Sequence, residues 1–125
     1  MAVRGVKPLF TENFSSNLSD IQAFLGGDGS RAFDRLFENL IDNIVPMLRR
    51  FPRSGRSFLE RSIRSNEAVA MVQKLKEKLK EGDDLREFIA GDYLILYVVR
   101  EKRIVFLSIR HHRQLTFDLK RFWQE

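Results

Sequence analysis

A chain of 125 residues has the length of one domain, and with 43% hydrophobic and 31% charged residues it holds the apolar material for a core without the bias of a disordered chain. It has no cysteine, which excludes disulfide staples, thiolate metal sites and cysteine nucleophiles and fits a reducing compartment, so the cytoplasm is the expected location. The net charge of +5 is segregated: basic stretches at residues 51–64 and 100–125 flank an acidic one at residues 83–99, a distribution that can meet phosphates or an acidic protein, or simply keep a small domain soluble.

In chain order, residues 3–10 can form a short strand before Thr11, which is placed to cap a helix. Phe14, Leu18, Ile21 and Leu25 recur at steps of four, three and four and so line one stripe of that helix, which Gly26 and Gly27 end. Ser30 can cap a second, longer helix in which Phe33, Leu36, Phe37, Leu40, Ile41, Ile44, Val45 and Leu48 repeat at helical spacing. Two amphipathic helices joined by a Gly- and Asp-rich loop imply an antiparallel hairpin whose apolar sides share a cover, a sheet being the natural one. Pro46 should kink the last turns of the second helix, since it lacks a donor and collides with the carbonyl four residues back, and Pro52 should stop it.

Ser65 to Glu81 reads as a third helix, with Ala68, Met71, Val72, Leu75 and Leu79 on one side and Lys74, Lys76, Lys78 and Lys80 forming a solvated face. The period then becomes extended. Leu85 to Ala90 is a strand, Gly91-Asp92 supplies turn chemistry, and Tyr93 to Val99 is apolar on both faces, as a central strand should be. Arg100 to Arg103 form a charged turn before a third strand, Ile104 to Ile109, with Val105, Leu107 and Ile109 expected on one face and Ile104 and Phe106 on the other. Residues 114–123 contain Leu115, Phe117, Leu119, Phe122 and Trp123 and fit either a short helix or an edge strand. The longest apolar run, Tyr93 to Val99, is too short to span a bilayer, and nothing in the N-terminal residues signals export. No repeat or linker divides the chain, so a single domain over residues 1–125 is expected.

The succession of helix, helix, FPRSGR, DYLILYVV, a short turn and IVFLSIRHHR resembles the RelE/ParE superfamily of bacterial toxins. The matching residues are Phe51, Pro52 and Gly55, then Tyr93, Tyr97 and Val99, then His112 and Arg113. Relative to that pattern, about residues 60–82 look like an insertion carrying the third helix. The resemblance implies an α+β fold in which an N-terminal helical hairpin packs on a small antiparallel sheet. It also implies the toxin of a type II toxin-antitoxin system, of the kind associated with plasmid stabilization, neutralised by a cognate antitoxin whose tail wraps the hairpin and sheet. Such tails usually carry many charges and gain order on binding. The partner-binding residues expected on this basis are Arg53, Arg56, Arg61, Arg64 and Arg113.

Toxins of this superfamily act in one of two ways: ParE-like members bind and poison DNA gyrase, and RelE-like members cut messenger RNA in the ribosome. Cleavage needs a general base or acid beside cations that stabilise the phosphorane, a role open here to His112 with Arg110 and Arg113. If the last strand continues through Arg110, His112 shares a face with Arg110 and His111 points the other way. Two departures count against that set: Leu94 stands where many RelE-like members carry Arg, and Arg113 where some carry Tyr. His112 is equally readable as a polar strand-end residue bonded to backbone. Two histidines without a helical His-x-x-x-His spacing do not make a zinc site, and GGDGS lacks the lysine of a phosphate loop, so neither metal nor cofactor is expected. Tyr93, Tyr97 and Phe106 could stack nucleic-acid bases, although alternating strand aromatics more often form core. A gyrase-binding toxin without chemistry of its own is the leading reading. The alternatives are a ribosome-dependent endoribonuclease and a toxin-fold protein that retains antitoxin binding alone.

Overall fold

A computed structural model describes residues 6–25, 30–57 and 79–111. The elements are β1 (Lys7–Phe10), α1 (Glu12–Leu25), α2 (Ser30–Asn39), a π-helical turn (Leu40–Ile44), α3 (Val45–Arg50), a 3-10 turn (Pro52–Ser54), β2 (Arg56–Ser57), β3 (Asp84–Ala90), β4 (Tyr93–Arg100) and β5 (Arg103–His111). The strands form one five-stranded sheet in the order β1-β5-β4-β3-β2, and helices pack on one of its faces. The α+β class expected from the sequence holds. The sheet is mixed rather than wholly antiparallel, because β1 pairs with β5 in parallel, from Lys7 opposite Arg103 to Phe10 opposite Phe106.

Thr11 joins the first strand to the first helix with a single side chain. Its hydroxyl accepts the Phe14 N–H at 3.1 Å, capping α1, and donates to the Phe106 and Leu107 carbonyls at 3.0 and 3.2 Å. Asn13 Nδ2 donates to the Leu107 carbonyl at 2.8 Å, and the Ile109 N–H donates to Asn17 Oδ1 at 3.1 Å. Past the end of β1, side chains of α1 thus bond the β5 backbone where a neighbouring strand would otherwise do so. Pro8 suits an edge strand, where a missing N–H disturbs no ladder.

The core joins α1 and the second half of the α2–α3 rod to the sheet: Phe14, Leu40, Ile44, Val45 and Leu48 meet Ile95, Tyr97, Val99, Ile104, Phe106 and Ile109. Phe10, Phe14 and Phe106 form an aromatic group, with Phe10 stacked on Phe106 at 5.0 Å between ring centres. At full burial each such side chain contributes about 1.5–3 kcal/mol to folding. On the opposite face of the sheet Leu85, Glu87, Leu94, Leu96, Val98 and Ser108 are buried, so β4 is apolar on both faces, as its composition required.

Four local expectations change. Ile109 lies with Ile104 and Phe106 in the helix-side core rather than with Val105 and Leu107, because the register with β4 steps from Leu96 opposite Ser108 to Tyr97 opposite Phe106. Leu107 is the extra residue of a β-bulge, and one extra residue exchanges the faces of everything after it. The charged turn shrinks to Glu101 and Lys102, with Arg100 and Arg103 paired in the strands and Glu101 in the left-handed region at φ 51°. Pro46 produces a π turn instead of a simple kink: the Val45 N–H bonds five residues back to the Leu40 carbonyl, and the helix resumes with Pro46 in its first turn. Of the third helix, residues 65–78 lie outside the described residues, and Leu79 to Gly82 form a bend and turn, with Gly82 at φ 88°. The expected helix end at Gly26 and Gly27, the insertion from residue 60 and the segment 114–123 also lie outside the described residues. No helix among the described residues is long and apolar enough to cross a membrane.

Candidate partner-binding surface

The segment FPRSGR is organised by one tyrosine from β4. Tyr97 is fully buried, yet its hydroxyl donates to the Pro52 carbonyl at 2.7 Å and accepts the Gly55 N–H at 3.0 Å. Both hydrogen-bonding roles of a buried phenol are filled by the backbone of a turn 42 and 45 residues away in the chain. Burial raises the Tyr97 pKa, partly offset by the Gly55 N–H and by Arg86, so the phenol stays protonated and can keep donating. Gly55 is fixed by space rather than by φ. A β-carbon there would sit 2.5 Å from Tyr97 Oη and 2.5 Å from the Glu87 carbonyl oxygen. The Phe51 carbonyl accepts the Ser54 N–H and hydroxyl at 3.0 and 2.7 Å, which closes the turn.

Arg86 secures the same turn from β3. Its Nη1 donates to the Gly55 and Arg53 carbonyls at 2.6 and 3.3 Å, while its Nε donates to Asp84 at 2.8 Å. Nothing in the sequence marked Arg86 for this role beyond its place as the one cation in an acidic stretch. The exposed ring of Phe51, 63% accessible, and the exposed Arg50 stand beside the turn.

The basic and acidic stretches that the sequence holds apart meet here. Arg53 lies 3.5 Å from Asp84, Arg56 donates to buried Glu87 at 2.9 Å, and Arg100 pairs with Asp83 at 2.7 Å. Asp83 is fully buried as a side chain and takes the Arg100 guanidinium on both oxygens, with a further bond from the Lys80 N–H. The Arg100 guanidinium holds the Asp83 carboxyl below the ordinary aspartate range against an opposing effect of burial, and Asp83 in turn raises Arg100. Strand alternation puts Glu87 and Asp84 on opposite faces of β3, so Arg56 and Arg53 are drawn to opposite faces too. Their side chains nonetheless remain 66% and 75% exposed, and surface pairs of this kind are weak enough to exchange for a partner's carboxylates. Of the other expected partner-binding residues, Arg61, Arg64 and Arg113 lie outside the described residues.

The expected cleavage set is reached only in part. Arg110 sits in β5 opposite Leu94, on the face away from the helices, and His112 and Arg113 lie outside the described residues. His111, which the sequence set on the other face from Arg110, stands on the helix side, edge-on to Tyr93 with 5.7 Å between ring centres. Burial, with the Asp92 charge adding, raises the Tyr93 pKa, so that phenol also remains protonated. Tyr97 and Phe106 belong to the core, 6.1 Å apart, and offer no face for base stacking. Sequence reasoning missed buried Glu87 and Asn17; each is polar in a strand or helix position that its neighbours' periodicity makes inward-facing.

No match to the chain was found among curated proteins. A family model described as ParE toxin of type II toxin-antitoxin system, parDE, matches residues 9–116. That span runs from β1 through β5 and includes the Tyr97-held turn, so the match covers the sheet, the hairpin and the surface just described. The chain belongs to the ParE toxin family of type II toxin-antitoxin systems.

Proposed function

We propose that this toxin acts by binding DNA gyrase, with no chemistry of its own, and is held inactive by its cognate antitoxin in the cytoplasm. The observation that carries the reading is the 51–57 turn. Tyr97 and Arg86 hold its backbone rigid from beneath, while Phe51, Arg53 and Arg56 present an aromatic ring and two guanidinium groups to solvent. Rigid presentation lowers the entropy lost when a partner orders those side chains, and aromatic and arginine side chains are the groups that most often anchor protein interfaces. Arg53, Arg56, Arg61, Arg64 and Arg113 would draw in the acidic part of the antitoxin, which competes with the target for this surface.

Expression of the chain from a tightly controlled promoter tests the reading. The expected result is growth arrest with gyrase-dependent chromosome breaks, relieved by co-expressing the small protein encoded by the adjacent reading frame. His112→Ala should remain fully toxic. Messages cut at codon boundaries would instead identify an endoribonuclease using Arg110, His112 and Arg113, and absence of arrest would leave antitoxin binding alone.

A further inference from the structure

The first half of the α2–α3 rod carries a surface that the gyrase reading does not use. Phe33, Phe37 and Ile41 follow one another at steps of four, and so lie in a row along the helix surface. Phe33 and Phe37 stack with ring centres 6.0 Å apart. The row borders the buried Leu40 yet stays open, with Phe37 42% and Ile41 40% exposed. Asp34, Glu38 and Asp42 form a second row, one residue further round and also at steps of four; all three are exposed. Among the described residues, none of these three acids is within ion-pair distance of a cation. Apolar and acidic rows thus run side by side for about 12 Å, two turns of helix.

We infer that this strip seats an amphipathic helix of the antitoxin whose apolar stripe is bordered by lysine or arginine. The inference rests on the reading of this chain as a toxin with an antitoxin partner, and goes beyond it in assigning a place and a charge. An apolar row at helical spacing is the form a helix-in-groove contact takes, with the partner's i, i+3, i+4 and i+7 side chains as anchors. The adjoining row of uncompensated carboxylates favours cations on that border and disfavours an acidic one, which like-charge repulsion would penalise. The antitoxin therefore meets two surfaces of opposite sign: an acidic segment goes to the arginines of the 51–57 turn and a basic-edged helix goes to α2. The same polarity fixes the direction in which it lies across the toxin.

The test uses the purified full chain and the purified product of the adjacent reading frame, titrated calorimetrically. Phe37→Ala with Ile41→Ala should weaken binding at least tenfold. Asp34→Lys with Glu38→Lys, which touches only exposed groups, should weaken it several-fold, and that loss should shrink as salt is raised. Thermal unfolding of each variant shows whether it is folded. Failure of the wild-type chain to bind overturns the toxin reading and the strip with it. Normal wild-type binding that neither double variant alters overturns the strip alone. Tighter binding by the lysine variant overturns the basic border. Self-association of the wild-type chain that Phe37→Ala with Ile41→Ala abolishes, at unchanged antitoxin affinity, makes the strip a contact between copies and overturns the proposal.

Discussion

The 51–57 turn and the outer flank of α2 are made from the same materials, aromatic rings beside charges, and end as opposites. At the turn the structural aromatic is Tyr97, fully buried and bonded at both hydroxyl positions, and the charges find partners across 17 to 31 residues of chain. On α2, Phe37 and Ile41 have the spacing of core residues but remain partly exposed, and the neighbouring acids are unpaired among the described residues. What separates them is what the chain sets opposite. Leu40, Ile44, Val45 and Leu48 share a core with β4 and β5, while none of the described side chains from Arg31 to Asn39 reaches full burial. Periodicity states which residues share a face; only topology states whether that face is covered.

Substitutions can break this comparison, and the largest effect should come from Gly55→Ala. The new methyl meets a backbone carbonyl and a buried phenol at once, neither able to retreat without losing a hydrogen bond, so unfolding in urea should show a loss of about 3 kcal/mol. Tyr97→Phe keeps the ring and leaves the Gly55 N–H and Pro52 carbonyl without their partner; a loss of about 2 kcal/mol is expected by the same method. The Asp83–Arg100 pair should give a smaller, pH-dependent effect, about 1–2 kcal/mol for Asp83→Asn at neutral pH. Because Arg100 holds the folded-state carboxyl below its ordinary value of 3.8, the unfolded chain binds this proton more readily. The stabilisation is then complete above about pH 5 and is lost as the pH falls through the ordinary value and the lower folded one. The wild type should accordingly lose more stability between pH 5 and pH 3 than Asp83→Asn does. Phe37→Ala should come last, within about 0.5 kcal/mol of wild type, since the ring already spends much of its surface in water. A loss as large as that of Tyr97→Phe would contradict the contrast between the two regions.

Much of the fold was legible because it follows local rules. The stripe of Phe14, Leu18 and Ile21, the cap at Thr11, the turn at Gly91-Asp92 and the doubly apolar β4 all appear where spacing and turn chemistry put them. What stayed hidden depends on pairings between distant segments. The bulge at Leu107 is a matter of register between β4 and β5, and its carbonyl is bonded by Thr11 and Asn13 from the other end of the chain. The parallel pairing of β1 has no signature in four residues. At the site, Phe51, Pro52, Gly55 and Tyr97 were visible as a pattern, but the reason they occur together, a phenol clamped between two backbone groups, needed the tertiary fold. The basic and acidic stretches were read as separate surfaces, whereas Asp83, Asp84 and Glu87 lie against Arg100, Arg53 and Arg56.

The central claim, that this toxin works by gripping gyrase rather than by cutting RNA, is tested most directly with the purified chain in two parallel reactions. One follows supercoiling of relaxed plasmid by gyrase; the other follows a defined message in a translating extract. The expected result is dose-dependent loss of supercoiling, reversed by the antitoxin, with the message intact. Undiminished supercoiling beside codon-phased cleavage of the message would contradict the account.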